Sequence, residues 1–158
     1  MILSDRSESS KKLVLFNEIK PSLSFESFRQ HISHGDPGLC ITRRSTHQIV
    51  SEYDLGDVEY KSLKTEGRTD TINPKDLNQI GDVISKFAAE NEKPVFLIDG
   101  FDYLIALNSV DEVRNFLGKV RQTLDERGGA LLASLDLDTL GNNESMKIAE
   151  CFDEVESL

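Results

Sequence analysis

Val95-Phe96-Leu97-Ile98-Asp99-Gly100 is the stretch that decides the fold. Four apolar residues stand in a row without alternation, bounded by Lys93-Pro94 on one side and by an acid and a glycine on the other. A strand wetted on one face alternates apolar with polar residues. A continuous run predicts a strand covered on both faces, as in a parallel sheet between two layers of helices. The carboxylate at its end falls where open α/β sheets bind ligands.

On the N-terminal side, Leu77, Ile80, Val83, Ile84 and Phe87 recur at helical spacing and mark one face of a long helix. Asn73 with Pro74 predicts its start, and Lys93-Pro94 its stop. On the C-terminal side, Ser109 predicts a cap for a second helix that turns Val110, Val113, Phe116, Leu117, Val120 and Leu124 to the core. Gly128-Gly129 ends that helix, and Ala130-Leu131-Leu132-Ala133-Ser134-Leu135 is a further buried strand.

Further out, Leu39-Cys40-Ile41-Thr42 follows the turn Gly35-Asp36-Pro37-Gly38 and suits a third buried strand. Leu13-Val14-Leu15-Phe16 is the first strand and runs toward Ile19 until Pro21 breaks it. Ser24 is placed to cap a helix carrying Phe25, Phe28 and Ile32. His47 to Tyr53 predicts a short helix, Val58 to Leu63 a strand, and Thr65 to Thr71 a polar loop. A last acidic helix is expected from about Asn143, carrying Met146, Ala149, Phe152 and Val155. Strands alternating with helices in this way predict a three-layer α/β/α fold with a mostly parallel central sheet and right-handed crossovers. Residues 1–12, rich in serine and charge, read as a flexible start, and 13–158 as one domain.

The totals agree with a globular chain of 158 residues whose length permits a real core. A formal net charge of −10 repels phosphate backbones, and no basic cluster carries interleaved aromatics, so nucleic acid is disfavoured as a partner. No run approaches the roughly 20 apolar residues of a membrane span, and no signal peptide is legible, which predicts a cytoplasmic protein without membrane contact. Two cysteines, Cys40 and Cys151, make no disulfide framework and read as buried thiols.

Among residues that could carry chemistry, Asp99 stands first. In a phosphate-loop ATPase an aspartate at such a position helps to hold magnesium. The same residue can simply close an Asp-Gly turn. A phosphate loop also needs the pattern G-x-x-x-x-G-K-[ST]. The segment after the first strand, Glu18-Ile19-Lys20-Pro21-Ser22-Leu23-Ser24, has no glycine, and Pro21 removes an amide from any cradle. Arg43 and Arg44 follow the second strand and reach the same rim as Asp99, where they could clamp an anion or pair with Asp99, Asp102 or Asp136. Arg43, Arg44, Asp99, Asp102 and Asp136 are therefore the candidate ligand-binding residues, with ion pairing the favoured reading. His31 and His34 with Cys40 lack a fourth ligand for zinc. No G-x-S-x-G elbow or triad is visible, so neither a catalytic residue, a metal nor a cofactor is assigned.

Three segments in order, Gly35 to Arg43, Ile72 to Leu77 and Leu97 to Ile105, resemble the motifs of a mainly archaeal family catalogued as domain of unknown function eight-three-five. The likeness covers about residues 13–150. That family is often fused to sensory and kinase modules, which implies signalling. More distantly the chain looks like the core of RecA- and KaiC-type ATPases. The resemblance puts Asp99 at the magnesium-binding position and Arg43-Arg44 where catalytic glutamates would be expected. With the phosphate loop also missing, it implies a degenerate RecA-like architecture without hydrolysis. The expected function is thus a non-catalytic regulatory or scaffold domain acting through protein contacts. The alternative is an enzyme that binds a small ligand or nucleotide at the strand-end rim, with Asp99 and Asp102 as acid/base groups and Arg43 as anion clamp. A third reading is a subunit whose fold depends on a homologous partner, with a homo-oligomer as one such assembly, since RecA-like domains commonly assemble side by side.

Overall fold

Every residue of the strand β5, Val95–Asp99, is buried, as its continuous apolar sequence requires. The computed structural model describes residues 12–53, 55–56, 58–65 and 69–157, without the side chains of Thr46 and Val50. The expected flexible start, up to residue 11, lies outside the described residues, as do residues 66–68 of the expected polar loop. The strands are β1 (Leu13–Asn17), β2 (Gly38–Thr42), β3 (Glu59–Leu63), β4 (Thr71–Ile72), β5, β6 (Ala130–Leu135) and β7 (Glu154–Ser157). They form one sheet in the order β4-β3-β2-β5-β6-β1-β7. All six pairings are parallel. The centre is set by β5, whose Phe96 and Ile98 lie beside Leu39 and Ile41 of β2 and beside Leu131 and Ala133 of β6.

The helices are α1 (Leu23–Ser33), α2 (Thr46–Glu52), α3 (Leu77–Glu90), α4 (Phe101–Leu107), α5 (Val110–Arg127) and α6 (Asn142–Ala149). Strand alternation sorts them into two layers. Phe96 and Ile98 turn to one face, against Ile80, Ile84 and Phe87 of α3, Phe101 and Leu104 of α4, and Val113 to Leu124 of α5. Val95 and Leu97 turn to the other, against Phe25 and Phe28 of α1 and Ile49 of α2. Each such fully buried side chain stabilises the fold by about 1.5–3 kcal/mol before conformational entropy is charged against it. The three-layer α/β/α architecture is therefore present, with a sheet that is parallel throughout.

Several local expectations are corrected. The N-cap of α1 is Ser22, and Ser24 lies buried within the first turn. The N-cap of α3 is Asp76, whose side chain accepts from the Gln79 amide. Asn73 instead spends its Oδ1 on the amide of Lys75, folding a turn ahead of the helix. Thr71, expected in a loop, belongs to β4, and α4 was not foreseen. The acidic helix α6 stops at Ala149, and Glu154–Ser157 is the edge strand β7 beside β1. The reason lies in the spacing: Met146, Ala149, Phe152 and Val155 recur strictly every third residue, so each step drifts about 60° around a helix of 3.6 residues per turn. Such a stripe cannot hold one face. Phe152 turns into the core, edge-on to Phe101 at 6.1 Å, while Met146 and Val155 remain exposed. Cys151 is partly exposed, whereas Cys40 is buried as expected, and both are free thiols. Ser109 caps α5 by accepting from the Glu112 amide, and the chain leaves that helix at Gly128 with φ 79°, both as read from the sequence. Among the described residues, no helix is long and apolar enough to cross a membrane.

Candidate functional site

The chain leaves β2 for β3 through α2 on one face of the sheet, and leaves β5 for β6 through α4 and α5 on the other. The carboxyl ends of β2 and β5 are thus neighbours at a topological switch point, where open α/β sheets bind ligands. Thr42 ends one strand and Asp99 the other.

The Thr42 hydroxyl donates to Asp99 Oδ2 at 2.9 Å and accepts from the Arg44 amide at 3.1 Å. Arg44 Nε stands 3.9 Å from the same Asp99 oxygen, and its Nη1 meets Glu52 Oε2 at 2.6 Å. Ser62 of β3 donates to the Arg44 carbonyl and fixes that loop against the neighbouring strand. Burial pushes the Asp99 carboxyl above its usual range. Thr42 and Arg44 pull it back, and the nearby charges of Asp102 and Glu18 add to the rise. Burial works to lower the Arg44 guanidinium, but Asp99 and Glu52 outweigh it and hold it further up. Arg43 points elsewhere. Its guanidinium lies 4.2 Å over the Tyr103 ring, a cation–π contact. Its stem crosses Gly100, the residue in the left-handed region (φ 80°) that turns β5 into α4.

The five residues singled out in the sequence are therefore sorted by the structure. Arg44 and Asp99 come together, Asp102 is close enough to act on Asp99, and Arg43 flanks them on Tyr103. Asp136 stays with its own turn, accepting from the amide of Asp138. The histidines also part: His31 Nδ1 lies 3.0 Å from Asp36 Oδ2, and His34 Nδ1 lies 2.7 Å from the Gln30 carbonyl. Burial first, then Asp99, pushes the Cys40 thiol far up, which removes it as a nucleophile.

Sequence reasoning missed Glu18. It is 5% exposed at the end of β1, in the place where a phosphate loop would begin. Its Oε1 accepts from the amides of Ser22 and Leu23 at 3.0 and 2.8 Å. Its Oε2 accepts from the Ser24 amide at 3.4 Å, the Ser24 hydroxyl at 2.5 Å and the Ser134 hydroxyl at 2.8 Å. A search for glycine and lysine passes over a glutamate. The signal that could have found it was an acid four residues ahead of a helix start that carries serines. Thr42 was also missed as the partner of Asp99.

At this rim Arg44 pairs with Glu52 and stands near Asp99, while Arg43 lies over Tyr103. Asp99 is 6% exposed, with Oδ2 engaged by Thr42, so it is poorly placed to reach a substrate. Two grooves lie away from it. One, of about 360 Å³, runs between α3 and α5 beside Asp82, Ser85, Asn115 and Lys119. The other, of about 690 Å³, lies at the opposite end of the sheet beside Gly38, Gly56 and Asn91.

Fold and rim together define a class: an all-parallel α/β/α domain with a buried aspartate, bonded to Thr42 and close to Arg44, at its switch point. Residues 18–152 match the model of a family described as protein of unknown function (DUF835), and the chain belongs to that family. No curated protein matches the chain.

Proposed function

We propose that this domain is a non-catalytic regulatory or scaffold module that acts through protein contacts, within an archaeal, cytoplasmic signalling protein, on a degenerate RecA-like core. The observation that carries the reading is the closed circuit at the switch point, in which Thr42, Arg44 and Glu52 answer the charge of Asp99 and of each other. A catalytic rim keeps charged groups available for substrate, and this one spends them on neighbours. Two further features support the reading. Arginines stand where the ATPase resemblance expects glutamates, and Ile19, 85% exposed beside the rim, offers an apolar point for a partner to cover.

The test is magnesium-ATP at millimolar concentration. The expected outcome is no phosphate release and no magnesium-dependent change in melting temperature. A clear magnesium-dependent rise that Asp99→Ala abolishes would overturn the proposal and restore a nucleotide site.

A further inference from the structure

We infer that the domain docks on a second copy of itself, with Ile19 of one copy seated in the groove between α3 and α5 of the next. The inference rests on the reading of the domain as a contact module and names the partner. Ile19 is 85% exposed, the most of any large apolar side chain among the described residues. Its loop is pinned on both sides. Ahead of it, the Glu18 amide donates to the Leu135 carbonyl, and the Glu18 carboxylate is held by the amides of Ser22 and Leu23. Behind it, the Pro21 carbonyl accepts from the Tyr53 hydroxyl at 2.8 Å, and the Tyr53 ring stacks on Phe25 at 4.1 Å. Ile19 and Lys20 therefore form a fixed tip. An apolar side chain held ready in this way loses little freedom on docking, as an interface anchor requires.

The groove supplies a matching seat. It measures about 360 Å³ and is lined by Leu77, Gly81, Ile84 and Phe116. Glycine is a poor helix former, yet Gly81 stands within α3. Nothing inside the chain demands it there: an added Cβ would meet only the Phe116 ring, at an ordinary 4.0 Å. The missing side chain keeps the groove open instead. Charge fits as well. Lys20 is exposed beside Ile19 and enters no ion pair among the described residues. The groove sets the carboxylates of Asp76, Asp82 and Glu112 against the amines of Lys75 and Lys119. Asp82 and Glu112 are exposed and likewise enter no ion pair among the described residues. Lys20 of one copy thus meets an excess of carboxylate on the other, while Ile19 takes the space beside Gly81. Tip and groove are different surfaces, so the contact joins unlike faces of the two copies.

The test is complementation. In light scattering at physiological salt, the mass of the parent should rise with concentration above that of one chain. Ile19→Asp removes the tip and Gly81→Leu fills the groove. Each should weaken association at least about tenfold, with the melting temperature unchanged or raised. An equimolar mixture of the two should associate again and stop at a heterodimer, because the first keeps its groove and the second its tip. Asp82→Arg, at an exposed position, takes the place of Gly81→Leu should that variant not fold. A parent that keeps the mass of one chain up to millimolar concentration overturns the inference. It leaves the contact-module reading, which answers to the magnesium-ATP test, as it stood. Single variants that associate like the parent, or a mixture that stays dissociated, overturn the inference in the same way.

Discussion

Gly100→Ala probes the hinge between Asp99 and α4, and its cost divides into two parts. The first is conformational. Gly100 has φ 80°, and a side chain in that left-handed region costs about 1–2 kcal/mol. The second is steric. An added Cβ would stand 2.6 Å from Arg43 Cδ and 2.9 Å from its Cγ, so the arginine stem must move. Its guanidinium would then lose its seat over Tyr103, worth about 0.5–1 kcal/mol. The sum is roughly 2 kcal/mol, or a fall in melting temperature of about 6 °C for a chain of this size. The same substitution in an Arg43→Ala background meets only the Arg43 Cβ, at an ordinary 3.8 Å, and should cost just the conformational part. The double-mutant cycle should therefore show a coupling of about 0.5–1 kcal/mol. Urea unfolding followed by circular dichroism measures it, with an unchanged slope as the check that the denatured state is the same. Equal costs in the two backgrounds would refute the packing of Arg43 across Gly100.

Two further outcomes follow from titration. Burial raises Asp99 above its ordinary value, so the folded state binds that proton more tightly than the unfolded chain does. The group's contribution is complete below the unfolded pKa of about 3.9 and is lost as pH rises through the folded value. Asp99→Asn should match the parent at pH 7 or exceed it by up to about 1 kcal/mol, the difference closing toward pH 4 in urea titrations; a loss of more than that at pH 7 would show that Thr42 and Arg44 outweigh burial. Asp153 runs the other way: burial acts to raise it, but Arg121 and the amides of Leu13 and Lys12 hold it below its ordinary value. Its contribution is present above the unfolded pKa and is lost as pH falls through the folded one. Asp153→Asn should cost less than about 1 kcal/mol at pH 7, the pair being screened by solvent, and the cost should shrink away as pH falls through the folded value; a cost that stays constant into acid would sink the assignment.

The buried strands were legible because burial on both faces writes itself as an unbroken apolar run, as in Val95 to Ile98 and Ala130 to Ala133. The start of α5 was legible because its cap is local, Ser109 to Glu112. The start of α1 was not, because its capping group is a side chain at Glu18, outside the helix. Asn73 and Asp76 are equally good caps on paper, and only the turn that takes up Asn73 decides between them. At the rim, Asp99 was found from its position at a strand end. Thr42 and Glu52 could not be, since they meet it or Arg44 only after β2 and β5 pair and α2 folds back. The strand β7 was hidden because its short Glu-Val-Glu-Ser sequence gains meaning only beside β1.

The position of β1 in the sheet carries a consequence for synthesis. Among the described strands it comes earliest in the chain, yet its partners begin at Leu131 on one side and Glu154 on the other. The sheet from β4 to β5 can gather while translation continues, but Leu13-Val14-Leu15-Phe16 must wait, apolar and unpaired, for residues 131–157. The hydrogen bonds of Glu18 wait with it in part, because Ser134 supplies one of the donors. Contacts of this span make folding slow, and a stalled or truncated chain would carry a bare strand that seeks pairing elsewhere. The segments β6 and β7 thus act as a completion check: until they arrive, β1 lacks both of its partner strands.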